Sequence, residues 1–196
     1  MASKRVLIAC EFSGTVRRAF RALGHYAWSC DLLPAEDKSP HHIQDDVRNV
    51  LNGPWDLMIA HPPCTHLSVS GARWFKEKHT EQEAALRFVS ELLDAPIAQI
   101  ALENPISIIS SRIRKPNQII QPWQFGHDAS KATCLWLKNL PLLQPTDVLP
   151  GGRSARRANQ TPSGQNKLPP SPDRWKLRSM TYDGIARAMA EQWGAA

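Results

Sequence analysis

A cysteine and a glutamate, each placed just after a short apolar run, are the residues of this sequence best suited to chemistry. His61-Pro62-Pro63-Cys64 follows the run WDLMIA (55–60). Two prolines there fix the backbone and hold the next side chain at the mouth of whatever crevice lies beyond. A thiol attacks as its thiolate, which requires partial exposure and electropositive surroundings. A loop at a strand end supplies both. Inert packing is the plain alternative, and it is the one assigned to Cys10, Cys30 and Cys134. Glu103-Asn104-Pro105 follows IAQIAL (97–102). A carboxyl group in that place sits at low dielectric, so its pKa is expected to rise until it can share or donate a proton; a helix-capping acid is the plain reading. Nucleophile and acid on neighbouring strand ends make a constellation that neither makes alone.

A second group of residues suits a phosphate- or nucleoside-bearing ligand. Glu11-Phe12-Ser13-Gly14 follows RVLIAC and opens a helix-like segment. A glycine at such a turn admits close approach of a ligand, with helix-start N–H groups nearby. Val16 stands where a second glycine would complete a dinucleotide fingerprint, so an ordinary strand-to-helix turn remains open. Asp31 closes the next apolar run, where an acid accepts hydrogen bonds from ribose hydroxyls in dinucleotide-type folds; a solvated carboxylate is the alternative. Asp45-Asp46 reads either as a nucleoside-facing pair or as a helix start.

These residues need elements to position them. Strand-like runs at Arg5–Glu11, Tyr26–Cys30, Trp55–Ala60 and Ile97–Leu102 alternate with helical patterns at Thr15–Leu23 and from Thr80, where Thr80-x-x-Glu83 has capping-box form, to Pro96. The polar stretch after Asp31 reads as a loop with one short strand. Such alternation predicts an α/β domain with a mostly parallel twisted sheet flanked by helices, whose ligands lie beyond the carboxyl ends of the strands. Lys131–Leu137 reads as a further strand and Tyr182–Trp193 as a closing helix. Seven of the sixteen prolines fall between Pro141 and Pro172, which predicts a long loop.

The chain has 196 residues, 21.9 kDa and 42% hydrophobic composition, enough for one domain, 1–196, with a real core. Widely spaced cysteines without a CxxC pair give no sign of a disulfide scaffold or a metal site. The run after MASKR is too short for a signal-peptide core, and no stretch has the roughly 20 apolar residues of a membrane span, so no membrane association and a reducing cytoplasm are expected. The formal charge is +6. Residues 150–180 carry Arg153, Arg156, Arg157, Lys167, Arg174, Lys176 and Arg178 against Asp173 alone, which accounts for the whole excess. A basic Pro-rich loop at about 141–180 is a candidate surface for a polyanion.

Taken in order, EFSG, an acid closing the second strand, PPC-x-x-L-S-x-x-G (Pro62 to Gly71) and LENP resemble the DNA cytosine-5 methyltransferases, most of all the short variants encoded by bacteriophages and prophages. The likeness covers residues 5–105, and TYDGIARAMAEQW (181–193) is similar to the family's closing motif. It implies a Rossmann-like class I fold that binds S-adenosylmethionine. It also implies Phe12, Ser13 and Gly14 against the cofactor, with Glu11, His61 and Pro62 in the same crevice. Asp31 would take the ribose, Asp45 or Asp46 the adenine, Cys64 the role of nucleophile and Glu103 the cytosine edge. Pro63, Ser68, Asn104, Lys131, Arg153, Arg156 and Arg157 would face nucleic acid; Ser70 also follows the nucleophile. The partner implied is DNA, as a duplex with a flipped base or as a single strand, in a bacterial host cell. The chain departs from the family in having no room for a target-recognition domain and no clean Gln-x-Arg-x-Arg motif, for which Gln118, Gln121 and Gln124 with Lys131 are candidate substitutes. These departures leave open a separate specificity protein, an RNA or pyrimidine-nucleotide substrate, an amino-group methyltransferase, and a module that binds nucleic acid or a partner without turnover.

Overall fold

The computed structural model describes residues 2–69, 79–164 and 166–196. Seven strands form one sheet: β1 (Arg5–Ala9), β2 (Tyr26–Asp31), β3 (His42–Gln44), β4 (Leu57–Ala60), β5 (Gln99–Pro105), β6 (Gln118–Ile120) and β7 (Thr133–Lys138), in the order β3-β2-β1-β4-β5-β7-β6. The β1–β2, β1–β4, β2–β3 and β4–β5 ladders are parallel, while β7 runs antiparallel to both β5 and β6. The central strands are apolar on both faces because both faces are covered. Val6 and Ile8 pack with helices α1 (Thr15–Ala22) and α5 (Asp183–Ala195). Leu7 and Ala9 point the other way, into a second cluster with Leu86, Val89 and Leu92 of α2 (His79–Leu93).

The chain leaves β1 toward β2 and β3, then returns to lay β4 on the other side of β1. Strand order therefore reverses between β1 and β4, and sheets of this kind bind their ligands above the carboxyl ends at such a point. Because β7 is antiparallel and Thr133 pairs with Pro105, the start of β7, not its end, reaches that same edge. Helix α5 is held close by a glycine. A Cβ on Gly184 would lie 1.9 Å from the Phe125 carbonyl oxygen, and the Gly184 N–H donates to His127 Nε2 at 2.8 Å.

Several boundaries differ from the sequence reading. β1 stops at Ala9 instead of running to Glu11, because Cys10 takes a positive φ of 60° and turns the chain out of the ladder. The sequence pattern did not single out β6, the one-turn helix α3 (Ile109–Arg112) or α4 (Arg174–Ser179). Each is too short for periodicity to register. The Pro-rich stretch is less featureless than expected, since it includes a 3-10 turn at Gly152–Ser154 and precedes α4. Among the described residues, no helix is long and apolar enough to cross a membrane.

Candidate active site

The turn after β1 is built around one buried carboxylate. Gly14 occupies the N-cap of α1 with φ 71° and offers no side chain to cap it. Glu11 caps the helix in its place. Its Oε1 accepts from Val16 N–H at 2.7 Å, and its Oε2 accepts from Arg17 N–H at 3.3 Å. Burial pushes the Glu11 carboxyl up, and His61, the two helix amides and Arg17 offset this only in part. Beneath Gly14 lies the buried Arg17 guanidinium, which donates to Ser29 Oγ at 2.7 Å and to Asp37 Oδ2. A Cβ at Gly14 would collide with Arg17 Nη2 at 2.3 Å. The glycine therefore makes room for the protein's own Arg17–Asp37 ion pair, a use of the turn that neither reading of the sequence included.

Asp31 ends β2 half-buried, with Oδ1 accepting from Leu33 N–H at 2.9 Å, and burial raises its pKa. Leu32 and Leu33 follow it on the surface. An acid with an apolar shelf beside it suits a nucleoside, with hydroxyls on the carboxylate and a base on the shelf. Asp45 and Asp46 part company. Asp46 caps the 3-10 turn Val47–Asn49 and pairs with Arg48, so the helix-start reading describes it. Asp45, exposed, donates its backbone N–H to the Asp31 carbonyl and stays beside that acid.

At the end of β4 the backbone does what the two prolines promised. Pro62 is buried, Pro63 and Cys64 are exposed, and the Cys64 carbonyl accepts from the N–H groups of Leu67 and Ser68, forming a turn just beyond the thiol. Asn104 Nδ2 donates to the Pro62 carbonyl at 2.9 Å and ties this loop to β5. Ser68 bridges to Ser107, so the loop is anchored a second time. Ser70 and Gly71 lie outside the described residues. Of the four cysteines only Cys64 is exposed; Cys10 is partly covered, and Cys30 and Cys134 are buried.

Glu103 is buried at the carboxyl end of β5, and His61 Nδ1 donates to its Oε2 at 3.0 Å. Here the structure overturns an expectation. Burial alone would push the carboxyl up, but the His61 hydrogen bond, the Lys131 ammonium and the Thr133 hydroxyl together outweigh it and hold Glu103 below the usual carboxylate range. Glu103 is therefore a carboxylate in the resting molecule, not a raised acid. Cys64 shifts the other way. Protein crowding around the sulfur raises its pKa, the Glu103 charge adds to the rise, and Lys131 and Arg178 oppose it.

Lys131 thus joins the site through β7, with Nζ also donating to the Met180 carbonyl at 3.1 Å. Arg178 reaches it from α4, whose Trp175 ring packs against Phe12 at 5.8 Å and whose Lys176 pairs with Glu36. Sequence reasoning counted Arg178 only as part of a basic stripe. It had no signal that α4 would fold back over the Phe12 turn. The other basic residues divide. Arg153 and Arg156 are exposed, as a polyanion contact requires. Arg157 is buried instead, donating to the Gly152 carbonyl and lying over the Trp123 ring near Asp128, so it packs the loop and does not face a partner. The three glutamines also serve the backbone: Gln118 bonds both ways with Leu143, and Gln121 and Gln124 cap the 3-10 turn Pro122–Gln124.

No family model and no curated protein matches this chain. Among solved structures, one similar chain is an E. coli protein described, provisionally, as a DNA modification methyltransferase encoded within a prophage. It shares 16% identity, with a TM-score of 0.49 over 76% of this chain and 52% of that one, so the present chain spans about half its length. A likeness at that level assigns neither fold nor activity.

Proposed function

We propose that this chain transfers a methyl group from S-adenosylmethionine to C5 of cytosine in DNA, through a covalent bond between Cys64 and C6 of the base. One observation carries the reading. An exposed thiol after β4 lies within the electrostatic reach of a buried carboxylate near the end of the neighbouring β5, with Lys131 and Arg178 also acting on the thiol.

The residues present fit the cofactor. Among the described residues Asp31 has only backbone amides and a nearby histidine as partners, which leaves its carboxylate able to accept ribose hydroxyls, and Leu32 offers a surface for adenine. Phe12 and Ser13 sit at the turn above β1, and His61 has a buried Nε2 with no hydrogen-bond partner among the described residues. S-adenosylmethionine, once bound, supplies an electrophilic methyl group.

Cytosine C5 is too poor a nucleophile to take that methyl unaided. As the Cys64 thiolate forms the S–C6 bond, the C5=C6 pair is driven into the ring, N3 gains a proton and C5 becomes electron-rich. The proton Cys64 must lose and the proton the base must gain meet at Glu103, whose resting charge leaves it able to accept the first and deliver the second. Once C5 carries the methyl and the donor has left as its thioether, water at the exposed loop takes the C5 proton, whose electrons re-form C5=C6 and expel the Cys64 thiolate. N3 returns its proton through Glu103 to the sulfur. Exposed Arg153 and Arg156 favour a polymer over a free nucleotide. A base must leave its stack to reach Cys64.

The test uses single- and double-stranded DNA containing 5-fluorocytosine, with S-adenosylmethionine present. A covalent adduct on the peptide containing Cys64, lost in Cys64→Ser, is expected. No adduct, and no methyl transfer to any DNA, would remove the proposal; transfer that survives Cys64→Ser would point to an amino-group acceptor.

A further inference from the structure

His61 is a buried titratable group that the mechanism above does not use. It stands between two buried carboxylates, bonded through Nδ1 to Glu103 and acting electrostatically on Glu11. Its ring is nearly enclosed, at 9% exposure. Nε2 is buried without a hydrogen-bond partner among the described residues. Since an ionised carboxylate can only accept, Nδ1 must carry the hydrogen of the 3.0 Å bond, which fixes which nitrogen is committed and which is spare.

We infer that His61 is a positioning residue that acts through Glu103, fixing Oε2 by its Nδ1–H and keeping the carboxylate charged beside Cys64. The inference rests on the roles proposed for Cys64 and Glu103, but the physical coupling it describes is measurable without them. Glu103 is faced by His61 just after β4, by Lys131 just before β7, by Thr133 and the Cys134 thiol of β7, and by the Cys64 thiol; Glu11 faces His61 from the turn after β1, and Arg178 faces Cys64 from α4. Of the groups that hold Glu103 charged, His61 contributes most. Without its N–H, burial is left opposed only by Lys131 and Thr133, and Glu103 takes up a proton at higher pH. Cys64 then loses a negative neighbour wherever Glu103 is neutral.

The experiment follows alkylation of Cys64 by iodoacetamide, read by peptide mass, from pH 5 to 9 in the full-length chain and three variants. In the native chain Glu103 is charged throughout, so the rate climbs about tenfold per pH unit until the thiol itself titrates. In His61→Leu, alkylation on the acid side of the range should be about tenfold faster than native, and the profile should bend where Glu103 ionises, at a pH above its native one. His61→Asn places its amide nitrogen near the Nδ1 position and should restore the straight native profile. His61→Gln places its amide nitrogen near Nε2 and should behave like His61→Leu, which keeps the test available if the leucine variant does not fold.

Identical profiles for the native chain, His61→Asn and His61→Gln would overturn the inference. Where methyl transfer is observed, the acid limb of kcat against pH should move to higher pH in His61→Gln and not in His61→Asn. Absent transfer in the native chain, with the alkylation pattern intact, would refute the proposed activity while leaving the role of His61 standing.

Discussion

The ion pair beneath Gly14 can be weighed by removing Asp37. The Arg17 guanidinium is only 1% exposed, while the Asp37 carboxylate is 28% exposed and also meets the more open Arg18 at 3.0 Å. Burial pushes Asp37 up, but the hydrogen bonds from Arg17 and then Arg18 more than reverse this and bring it from 3.8 to about 2. A shift of almost two units corresponds to roughly 2.4 kcal/mol; with a discount for the water on the carboxylate side, about 1.5–2 kcal/mol remains. Asp37→Asn should therefore cost at least that much, since it strands a buried cation. Arg17→Met with Asp37→Asn together should cost less than the sum of the two singles, giving a coupling of about 2 kcal/mol in urea unfolding at pH 7. The cycle of Arg18 with Asp37 should give less than about 1 kcal/mol, because Arg18 is half-exposed. The folded pKa is depressed, so this stability is complete above the unfolded pKa of 3.8 and disappears as pH falls through about 2. The native chain and Asp37→Asn should then converge in acid. Additivity of Arg17 and Asp37 within about 0.5 kcal/mol, or a difference that persists at about pH 2, would show that solvent has dissolved the pair and that it supports nothing.

Other substitutions test other parts. Gly184→Ala gains about 1 kcal/mol of helix propensity, but its methyl meets the Phe125 carbonyl oxygen at 1.9 Å; a net loss of about 2 kcal/mol or more is expected, and a rise in thermal midpoint would contradict the packing described. Lys131→Met removes a cation that lowers both Glu103 and Cys64, so iodoacetamide should modify Cys64 more slowly than in the native chain at a given pH below the thiol's titration. Equal rates would mean that the ammonium does not act on the sulfur. Reversing Arg153 and Arg156 should flatten the salt dependence of DNA binding, by a slope change of about 1–2. Arg157→Met should leave that slope alone and instead lower stability, as expected of a buried side chain, and urea and binding titrations on the same samples separate the two effects.

Legibility in the sequence differs from element to element. β1, β2, β4 and β5 were legible because buried parallel strands are continuous apolar runs, and their polar closing residues mark the crevice by themselves. The order of strands and the reversed direction of β7 were not legible, because neither leaves a periodic trace. That gap explains the error on Glu103. Its burial is local and could be counted, whereas His61, Lys131 and Thr133 arrive from the end of β4 and the start of β7. Arg157 shows the same limit: nothing local separates it from Arg156, yet Trp123 and Asp128, some thirty residues earlier, enclose it. Glu11 was expected to line the cofactor site; its carboxylate instead serves the amides of α1, a role that no local pattern announces.

The antiparallel strand β7 and the helix α5 that follows it have a consequence for biosynthesis. A nascent chain that has emerged past Pro105 already contains Cys64 and Glu103, yet it lacks Lys131, Arg178 and the helix that shares one face of the sheet with α1. Until α5 has been made, Val6, Ile8 and Phe20 lack part of their packing, and the half-made sheet exposes the edge of β5 that β7 will later occupy. The charged surroundings of the Cys64 thiol are therefore completed late, and a translation product stopped short of α5 should be a target for chaperones and proteases.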